Sequence, residues 1–197
     1  DWPKQCDQAT VSMLMRLDYI PEALNVILVG PNGVGKSMIA LNLAYQAVMQ
    51  GHSAVFVNAA QMLGDLAAQD GDSGLRRRFA HYARPDVLVI DEIGYLSYGT
   101  RHADLLFEII HRRYERKPTI ITTNRPFAEW SEVFPHAACV GSIIDRLVYH
   151  AEILVIEGES YRMREAKARA ARRAKNAKAS RRRRTAPTSH HNGDKPA

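Results

Sequence analysis

One segment of the sequence has the residue types and the spacing of a phosphate-binding loop. Residues 30–37 read GPNGVGKS, which matches the pattern G-x-x-x-x-G-K-[ST]. Glycines let backbone N–H groups turn toward phosphate oxygens, and the start of a following helix adds a positive dipole end. Lys36 can then reach the β- and γ-phosphates of ATP, and Ser37 can ligate Mg²⁺. The residues predicted to bind the nucleotide are Gly30, Pro31, Asn32, Gly33, Val34, Gly35, Lys36, Ser37 and Met38.

An acidic pair, Asp91 and Glu92, follows the apolar run at residues 87–90. Asp91 is predicted to hold Mg²⁺, and Glu92 to orient and deprotonate an attacking water. The alternative is an exposed acidic strand end, which the neighbouring phosphate-binding loop makes less favourable. Because a carboxylate in the Glu92 position serves water, hydrolysis of ATP is favoured over phosphate transfer to a small molecule.

Two asparagines follow other predicted strands. Asn124 comes directly after residues 119–123, where its amide could hold the attacking water or sense the γ-phosphate. Asparagine is also a common turn residue at a strand end, and the sequence leaves both interpretations open. Asn58 ends the second predicted strand, from which it could tether Glu92 in an inactive rotamer.

Apolar runs and helical patterns alternate along the chain, and this order positions the motifs. Strands are predicted at residues 26–30, 53–58, 87–90, 119–123 and 153–156. Helices are predicted at 59–68, 75–83, 104–116 and 143–149, and after the loop from the spacing of Met38, Leu41, Ala44, Tyr45 and Val48. Such alternation predicts an α/β fold in three layers, with a parallel five-stranded sheet between helices. Ligands of such sheets bind at the carboxyl ends of the strands, where the loop, the acidic pair and Asn124 all lie.

Charge is distributed unevenly. The whole chain carries a formal charge of +6, but residues 162–184 alone contain twelve Lys and Arg against one acid, Glu165. The rest of the chain is therefore net acidic. An acidic body with a cationic tail is typical of proteins that work on nucleic acid.

The basic tail contains no large apolar side chain after Met163, so we expect it to be disordered until it meets a polyanion. It would bind phosphates by releasing counterions, without reading a base sequence. A solubility tail or an arm for an acidic protein are the alternatives. The strongest candidates for phosphate contact are Arg181, Arg182, Arg183 and Arg184.

The amino-acid composition limits which classes of protein the chain can belong to. The two cysteines, Cys6 and Cys139, imply no disulfide framework, and a cytoplasmic protein is expected. No run approaches the roughly 20 apolar residues of a membrane span. We expect an N-terminal remnant or linker at 1–22, an ATPase domain at 23–163 and the tail at 164–197. Because the chain begins with Asp1 rather than Met, we also expect an upstream segment.

Several motifs together resemble a known family. They are NVILVGPNGVGKS (25–37), DVLVIDEIGY (86–95), RRYE (112–115), TTNRPFAEW (122–130), DRL (145–147) and GESYR (158–162). Over residues 1–163 the chain resembles the IstB-like transposition helper ATPases, members of the DnaC/DnaA-like clade of AAA+ proteins. The motifs discriminate less well between such a helper and a replicative helicase loader.

The resemblance implies roles for individual residues. It makes 30–37 the Walker A loop, Asp91 and Glu92 the Walker B pair, and Asn124 sensor 1. It makes Arg146 an arginine finger that reaches the ATP of a neighbouring subunit. It also places an extra helix against DNA, in the region that contains Arg76, Arg77 and Arg78, although a solvated charged face explains these arginines equally well.

The chain departs from the family pattern in two places. We expect most of the N-terminal domain that recruits the partner to lie outside the printed residues, and we expect no helical lid with a sensor 2 arginine within them. Ser160, Tyr161 and Arg162 match the end of the family pattern, but the sequence assigns them no chemical role.

The sequence therefore predicts an Mg²⁺-dependent ATPase that self-assembles on DNA, on duplex in preference to single strands, and assists a transposase. A helicase loader that acts with a replicative helicase is the alternative. A small-molecule kinase and a nucleotide-binding module without hydrolysis are less favoured.

Overall fold

A sheet of five parallel strands forms the centre of the protein. The strands are β1 (Asn25–Val29), β2 (Ala54–Asn58), β3 (Val87–Ile93), β4 (Thr119–Thr123) and β5 (Ala151–Val155). Their order across the sheet is β2-β3-β4-β1-β5, and every neighbouring pair is parallel. The computed structural model describes residues 6–184, and the side chains of residues 6–173. It confirms the predicted α/β class with a five-stranded parallel sheet.

Helices cover both faces of the sheet. They are α1 (Gln8–Leu14), α2 (Lys36–Met49), α3 (Ala59–Ala67), α4 (Asp72–Ala83), α5 (Thr100–Arg113), α6 (Trp130–Val133) and α7 (Val140–Val148); a further helix, α8 (Tyr161–Arg184), belongs to a second unit of the chain. The first two pack on one face, and α3 to α7 pack on the other. Strand β3 illustrates the layering, since Leu88 and Ile90 belong to one core and Val87 and Val89 to the other. Burial on both faces explains why the parallel strands read as continuous apolar runs.

The helix after the loop is confirmed, but its inward face differs from the apolar pattern used to predict it. Side chains of Ile39, Ala40, Leu43 and Ala47 are buried against the sheet, whereas those of Met38, Leu41, Tyr45 and Val48 are exposed. Residues on both faces of α2 are apolar, so periodicity alone does not fix which face turns inward. The preceding loop determines which face turns inward, because it places Lys36, the first residue of the helix, in a buried position.

The N-terminal segment that was expected to be a linker packs into a core. Val11 and Leu14 of α1 lie with Leu17 and Tyr19 in the cluster beneath α2. Within residues 6–184, none of the helices combines the length and apolar character needed to cross a membrane.

The first part of the basic tail is described as a helix. The chain divides into two units after Ser160, and in the second unit Tyr161–Arg184 is helical. Alanine, lysine and arginine have high helix propensity, which favours a helix without a buried face. Side chains 161–173 are exposed accordingly. Residues 185–197 lie outside the described part of the chain.

A buried arginine joins three elements at the amino edge of the sheet. Arg113, at the end of α5, is only 1% exposed. Its guanidinium donates to carbonyl oxygens of Ala83, Pro85 and Pro118 at 3.0, 2.8 and 2.5 Å, and Nε donates to Thr119 Oγ1 at 3.1 Å. These contacts tie the end of α4 to the starts of β3 and β4. Burial lowers the pKa of Arg113 to about 10, opposed by the charge of Asp86, so the group remains cationic at neutral pH.

Removing the Arg113 side chain should destabilise the fold strongly. Arg113→Ala leaves several buried carbonyl oxygens without a donor, and we expect a loss of about 3 kcal/mol in the free energy of unfolding. Urea denaturation followed by circular dichroism measures the loss. Arg116→Ala, at an exposed position, is the control and should change the value by less than about 0.5 kcal/mol. Equal losses of unfolding free energy in the two variants would show that the buried hydrogen bonds of Arg113 do not stabilise the fold.

Candidate nucleotide-binding site

The glycine-rich loop connects the end of β1 to the start of α2, as predicted. The Gly30 N–H donates to the Thr123 carbonyl at 3.1 Å, which ties the loop to the end of β4. Gly33 and Gly35 have φ angles of 82° and 109°, in a region that residues with a Cβ rarely adopt. Gly35 is also the residue that caps α2. The two glycines therefore set the turn that directs the helix N-terminus toward the loop.

The segment after β5 lies directly against the same loop. A Cβ on Gly30 would lie 2.1 Å from the carbonyl oxygen of Ile156, and one on Gly33 would lie 2.2 Å from Ser160 Oγ. Both glycines are therefore required for close packing. Ser160 was matched as part of the GESYR motif, but the sequence gave no reason to place it beside the phosphate-binding loop.

Lys36 lies inside the loop. Its side chain is buried, with 8% exposed, and Nζ donates to the carbonyl oxygens of Gly30 at 2.6 Å and Pro31 at 2.8 Å. Burial lowers the pKa of the Lys36 ammonium, while the charges of Asp91 and Glu92 raise it. The loop lysine and the acidic pair therefore share one electrostatic environment.

The acidic pair does not simply end a strand, because β3 continues through it to Ile93. Ile90 pairs with Ile121 and Ile93 with Thr123, so two residues of β3 oppose the single residue Thr122. This is a β-bulge, and Glu92 has a left-handed φ of 63° within it. The bulge sends the two acids to different environments, since Asp91 is buried and Glu92 is exposed.

The Thr122 hydroxyl holds this bulge together. It donates to Asp91 Oδ1 at 2.5 Å and accepts from the Glu92 N–H at 2.9 Å. Sequence reasoning missed this residue. The available signal was a hydroxyl residue near the end of the strand that must neighbour the acidic pair.

Asn58 contacts Glu92, as the tether interpretation expected. Its Nδ2 donates to Glu92 Oε2 at 2.9 Å. Its Oδ1 accepts from the Ala60 N–H at 2.9 Å and so caps the N-terminus of α3. The Asn58 amide therefore links the Glu92 carboxylate to α3. A movement of α3 would shift the hydrogen-bond donor of Glu92.

Asn124 follows β4 and lies beside the end of β3. Gly94, two residues after Glu92, has a φ of 95°, and a Cβ there would lie 3.2 Å from Asn124 Oδ1. The amide is thus placed at the same edge of the sheet as the acidic pair.

Ser37 and Asp91 are the residues predicted to hold the metal, and their chemistry suits Mg²⁺. Ser37 lies in the first turn of α2, and Asp91 is a buried carboxylate whose second oxygen is not used by Thr122. Among the described residues, no group of three His, Cys, Asp or Glu side chains could hold a metal by itself. Two protein ligands are sufficient, because Mg²⁺ usually completes its shell with water and substrate phosphates.

Two further residues predicted to belong to the site, Met38 and Arg146, lie in different surroundings from Ser37 and Asp91. Met38 turns its side chain to solvent, with 63% exposed, so only its backbone could face a nucleotide. Arg146 lies near the end of α7, which contacts the start of β1 through a bond from Asn25 Nδ2 to the Leu147 carbonyl at 3.2 Å. The phosphate-binding loop follows the other end of β1.

Arg146 is held in place by aromatic rings. Its guanidinium carbon lies 4.6 Å from the centre of the Phe107 ring and 5.9 Å from that of Tyr114. Nη1 donates to the Ser142 carbonyl at 3.2 Å. These contacts fix the charge on the outer side of α5 and α7.

The arginines proposed to meet DNA are found on two helices. Arg76, Arg77 and Arg78 are exposed on α4, and Arg78 pairs with Asp65 at 3.3 Å. Arg181, Arg182, Arg183 and Arg184 form the last turn of α8, and their side chains lie outside the described part.

Comparison with known proteins gives close relatives among insertion sequences. A protein of insertion sequence IS5376 from Geobacillus stearothermophilus, named for ATP binding, is 35% identical over 81% of this chain and 63% of its own length. One from IS21 of Pseudomonas aeruginosa, named likewise, is 38% identical over 81% of this chain and 60% of its own. The chain therefore spans less than two thirds of the length of these relatives.

Solved structures share the fold at lower identity. The structure of DnaI superposes with a TM-score of 0.64 at 18% identity, covering 81% of this chain and 87% of that one. The DnaC helicase loader gives a TM-score of 0.61 at 23% identity, covering 75% and 86%. The P-loop fold of AAA+ proteins is thereby confirmed.

The family model described as "IstB-like ATP binding protein" matches residues 1–170. That match covers the sheet, the phosphate-binding loop, the bulged acidic pair and Asn124. The chain belongs to the IstB-like family of ATP-binding proteins.

Proposed function

We propose that the chain hydrolyses ATP as part of a DNA-bound assembly that assists transposition. The observation that carries this proposal is the position of Glu92, an exposed carboxylate projected by a bulge beside the loop and restrained by Asn58. A carboxylate in this position can orient and deprotonate a water molecule. The insertion-sequence relatives support the biological setting, although the chain spans only part of their length.

The proposed reaction assigns a step to each residue of the site. Lys36 would bind the β- and γ-phosphates, and Ser37 with Asp91 would hold Mg²⁺. When bound, Mg²⁺ neutralises charge on the phosphate oxygens. Glu92 takes a proton from water as the water oxygen bonds to the γ-phosphorus, the bond to the β–γ bridging oxygen breaks, and ADP leaves. Asn124 orients the water.

We propose that Arg146 serves the ATP of a neighbouring subunit. In support, the last turn of its helix contacts the start of β1, whereas the phosphate-binding loop follows the end of that strand. A head-to-tail contact of this kind generates rings or open helices. DNA would be bound by cations of α4 and of the tail.

The choice between a transposition helper and a helicase loader is tested by the DNA that stimulates the enzyme. We expect duplex DNA to increase both the ATPase rate and the particle size measured by light scattering, relative to protein alone. Lys36→Ala should abolish both, since the phosphates lose their ammonium partner. Stimulation by single strands alone would favour the loader, and indifference to all DNA would favour a small-molecule kinase.

Releasing Glu92 from its tether should activate hydrolysis. Asn58→Ser keeps a side-chain oxygen to cap α3 but is too short to reach the carboxylate. A hydrogen bond to a charged group contributes about 1.5 kcal/mol, so the ATPase rate without DNA should rise by up to roughly tenfold. Gln61→Ala, an exposed change on the same helix, is the control. A rate unchanged or lowered in Asn58→Ser would contradict the restraining role.

A finger supplied in trans can be tested by mixing variants. Arg146→Ala should bind ATP normally but lose about 1,000-fold in DNA-stimulated turnover. Glu92→Gln retains Arg146 but cannot hydrolyse its own ATP. Mixing the two inactive proteins should restore turnover at junctions where Arg146 of one faces the intact site of the other. Full activity of Arg146→Ala alone, or no restoration in the mixture, would rule out the trans role.

A further inference from the structure

Ser160 belongs to the GESYR motif (158–162), to which the sequence assigns no chemistry, and the structure places it against the phosphate-binding loop. A Cβ on Gly33 would lie 2.2 Å from Ser160 Oγ, 3.0 Å from Ser160 Cβ and 3.4 Å from Ser160 Cα. Because Cβ and Cα also lie close, rotation of the Ser160 hydroxyl alone would not relieve the contact. Ser160 therefore occupies the side of Gly33 on which other residues carry a side chain.

The segment that ends at Ser160, residues 156–160, contacts the loop at its other end as well. The Ile156 N–H donates to the Val29 carbonyl at 2.8 Å, and a Cβ on Gly30 would lie 2.1 Å from the Ile156 carbonyl oxygen. The Ile156 side chain is buried in the same cluster as Val34 of the loop. Segment 156–160 thus lies against the loop both at its first residue and at its middle.

These contacts differ from those that Lys36 makes with the loop. The Lys36 ammonium has three N–H donors, and the carbonyl oxygens of Gly30 and Pro31 accept at 2.6 and 2.8 Å. An ammonium that contacts both the β- and the γ-phosphate has to give up at least one of these carbonyl bonds. The contacts of segment 156–160 do not pass through the ammonium. They can therefore hold the shape of the loop while Lys36 exchanges its partners.

We propose that Ser160 is a positioning residue for the nucleotide, which holds the middle of the phosphate-binding loop at Gly33 and thereby sets the affinity for ATP. The proposal rests on the ATP-binding step of the proposed function, and not on hydrolysis or DNA. Backbone N–H groups of such loops bind the phosphates. A loop held in its binding conformation before the ligand arrives loses less conformational entropy on binding, so the ligand binds more tightly.

The first test compares single variants of the full chain for binding of a fluorescent ATP analogue. Ser160→Ala removes the hydroxyl nearest to Gly33 and should raise the dissociation constant roughly threefold to tenfold. Ser160→Leu forces extra volume against the same glycine and should raise it by more than about tenfold. Ser131→Ala, which removes an exposed hydroxyl on α6, is the control and should stay within about twofold of wild type. Thermal unfolding verifies that each variant is folded.

A double-variant cycle tests the contact with Gly33 itself. Gly33→Ala places a methyl group against Ser160 and also strains a backbone φ of 82°. The strain is the same whichever residue stands at position 160, so it cancels in the cycle, whereas the clash with the hydroxyl is absent when position 160 is alanine. We therefore expect Gly33→Ala to weaken ATP binding about fivefold less when combined with Ser160→Ala than in wild type.

Equal losses from Gly33→Ala in the two backgrounds would overturn the proposal. If Gly33→Ala leaves no measurable binding in either background, Ser160→Ala alone decides, and an unchanged dissociation constant in that variant would overturn the proposal.

Steady-state hydrolysis distinguishes a positioning role from a role in the chemical step. Ser160→Ala should raise KM and leave kcat within about twofold, because saturating ATP restores the bound loop. A fall in kcat with an unchanged KM would contradict the positioning role. A wild type that binds ATP without hydrolysing it would contradict the proposed function, while the binding measurements still decide the role of Ser160. Failure of wild type to bind ATP would contradict both.

Discussion

At the carboxyl end of β4, the Thr122 hydroxyl donates to Asp91 and accepts from the Glu92 N–H. These two bonds stabilise the bulge that gives adjacent acids opposite environments. A regular strand would also alternate the two side chains, but it would leave Glu92 in the pleat of the sheet. The left-handed backbone at Glu92 instead projects its carboxylate toward Asn58. The placement of both acids around the loop depends on this local irregularity.

The lysine and arginine side chains of this protein have different roles because their surroundings differ. Arg113 is buried among backbone carbonyls and serves the fold. Lys36 is buried among loop carbonyls that lie where phosphates are expected, and Arg146 is held on aromatic rings. The α4 arginines are exposed and differ only in whether an acid faces them. Burial and the nearest acceptor, more than residue type, determine each role.

The fold and most of the nucleotide site could be predicted from the sequence. Continuous apolar runs separated by helical segments leave little choice except a parallel sheet, and a parallel sheet brings its carboxyl ends together. Glycine spacing in residues 30–37 then predicts where phosphates bind. The extent of β3, the phase of α2 and the role of Thr122 could not be predicted. These three features depend on which residues of neighbouring strands or loops lie opposite one another. A single sequence does not contain that information.

What the sequence determined by itself was local: a loop that only glycines can form, strands buried on both faces, and a cationic tail. The tertiary structure decided every relation between distant segments. It placed Ser160 on the loop, Asn58 on Glu92, and the last turn of α7 against the start of β1. It also paired Arg78, the last of three consecutive arginines, with Asp65 on α3. The physical reason is that local patterns fix backbone conformation and burial, whereas contacts between side chains depend on strand order and register.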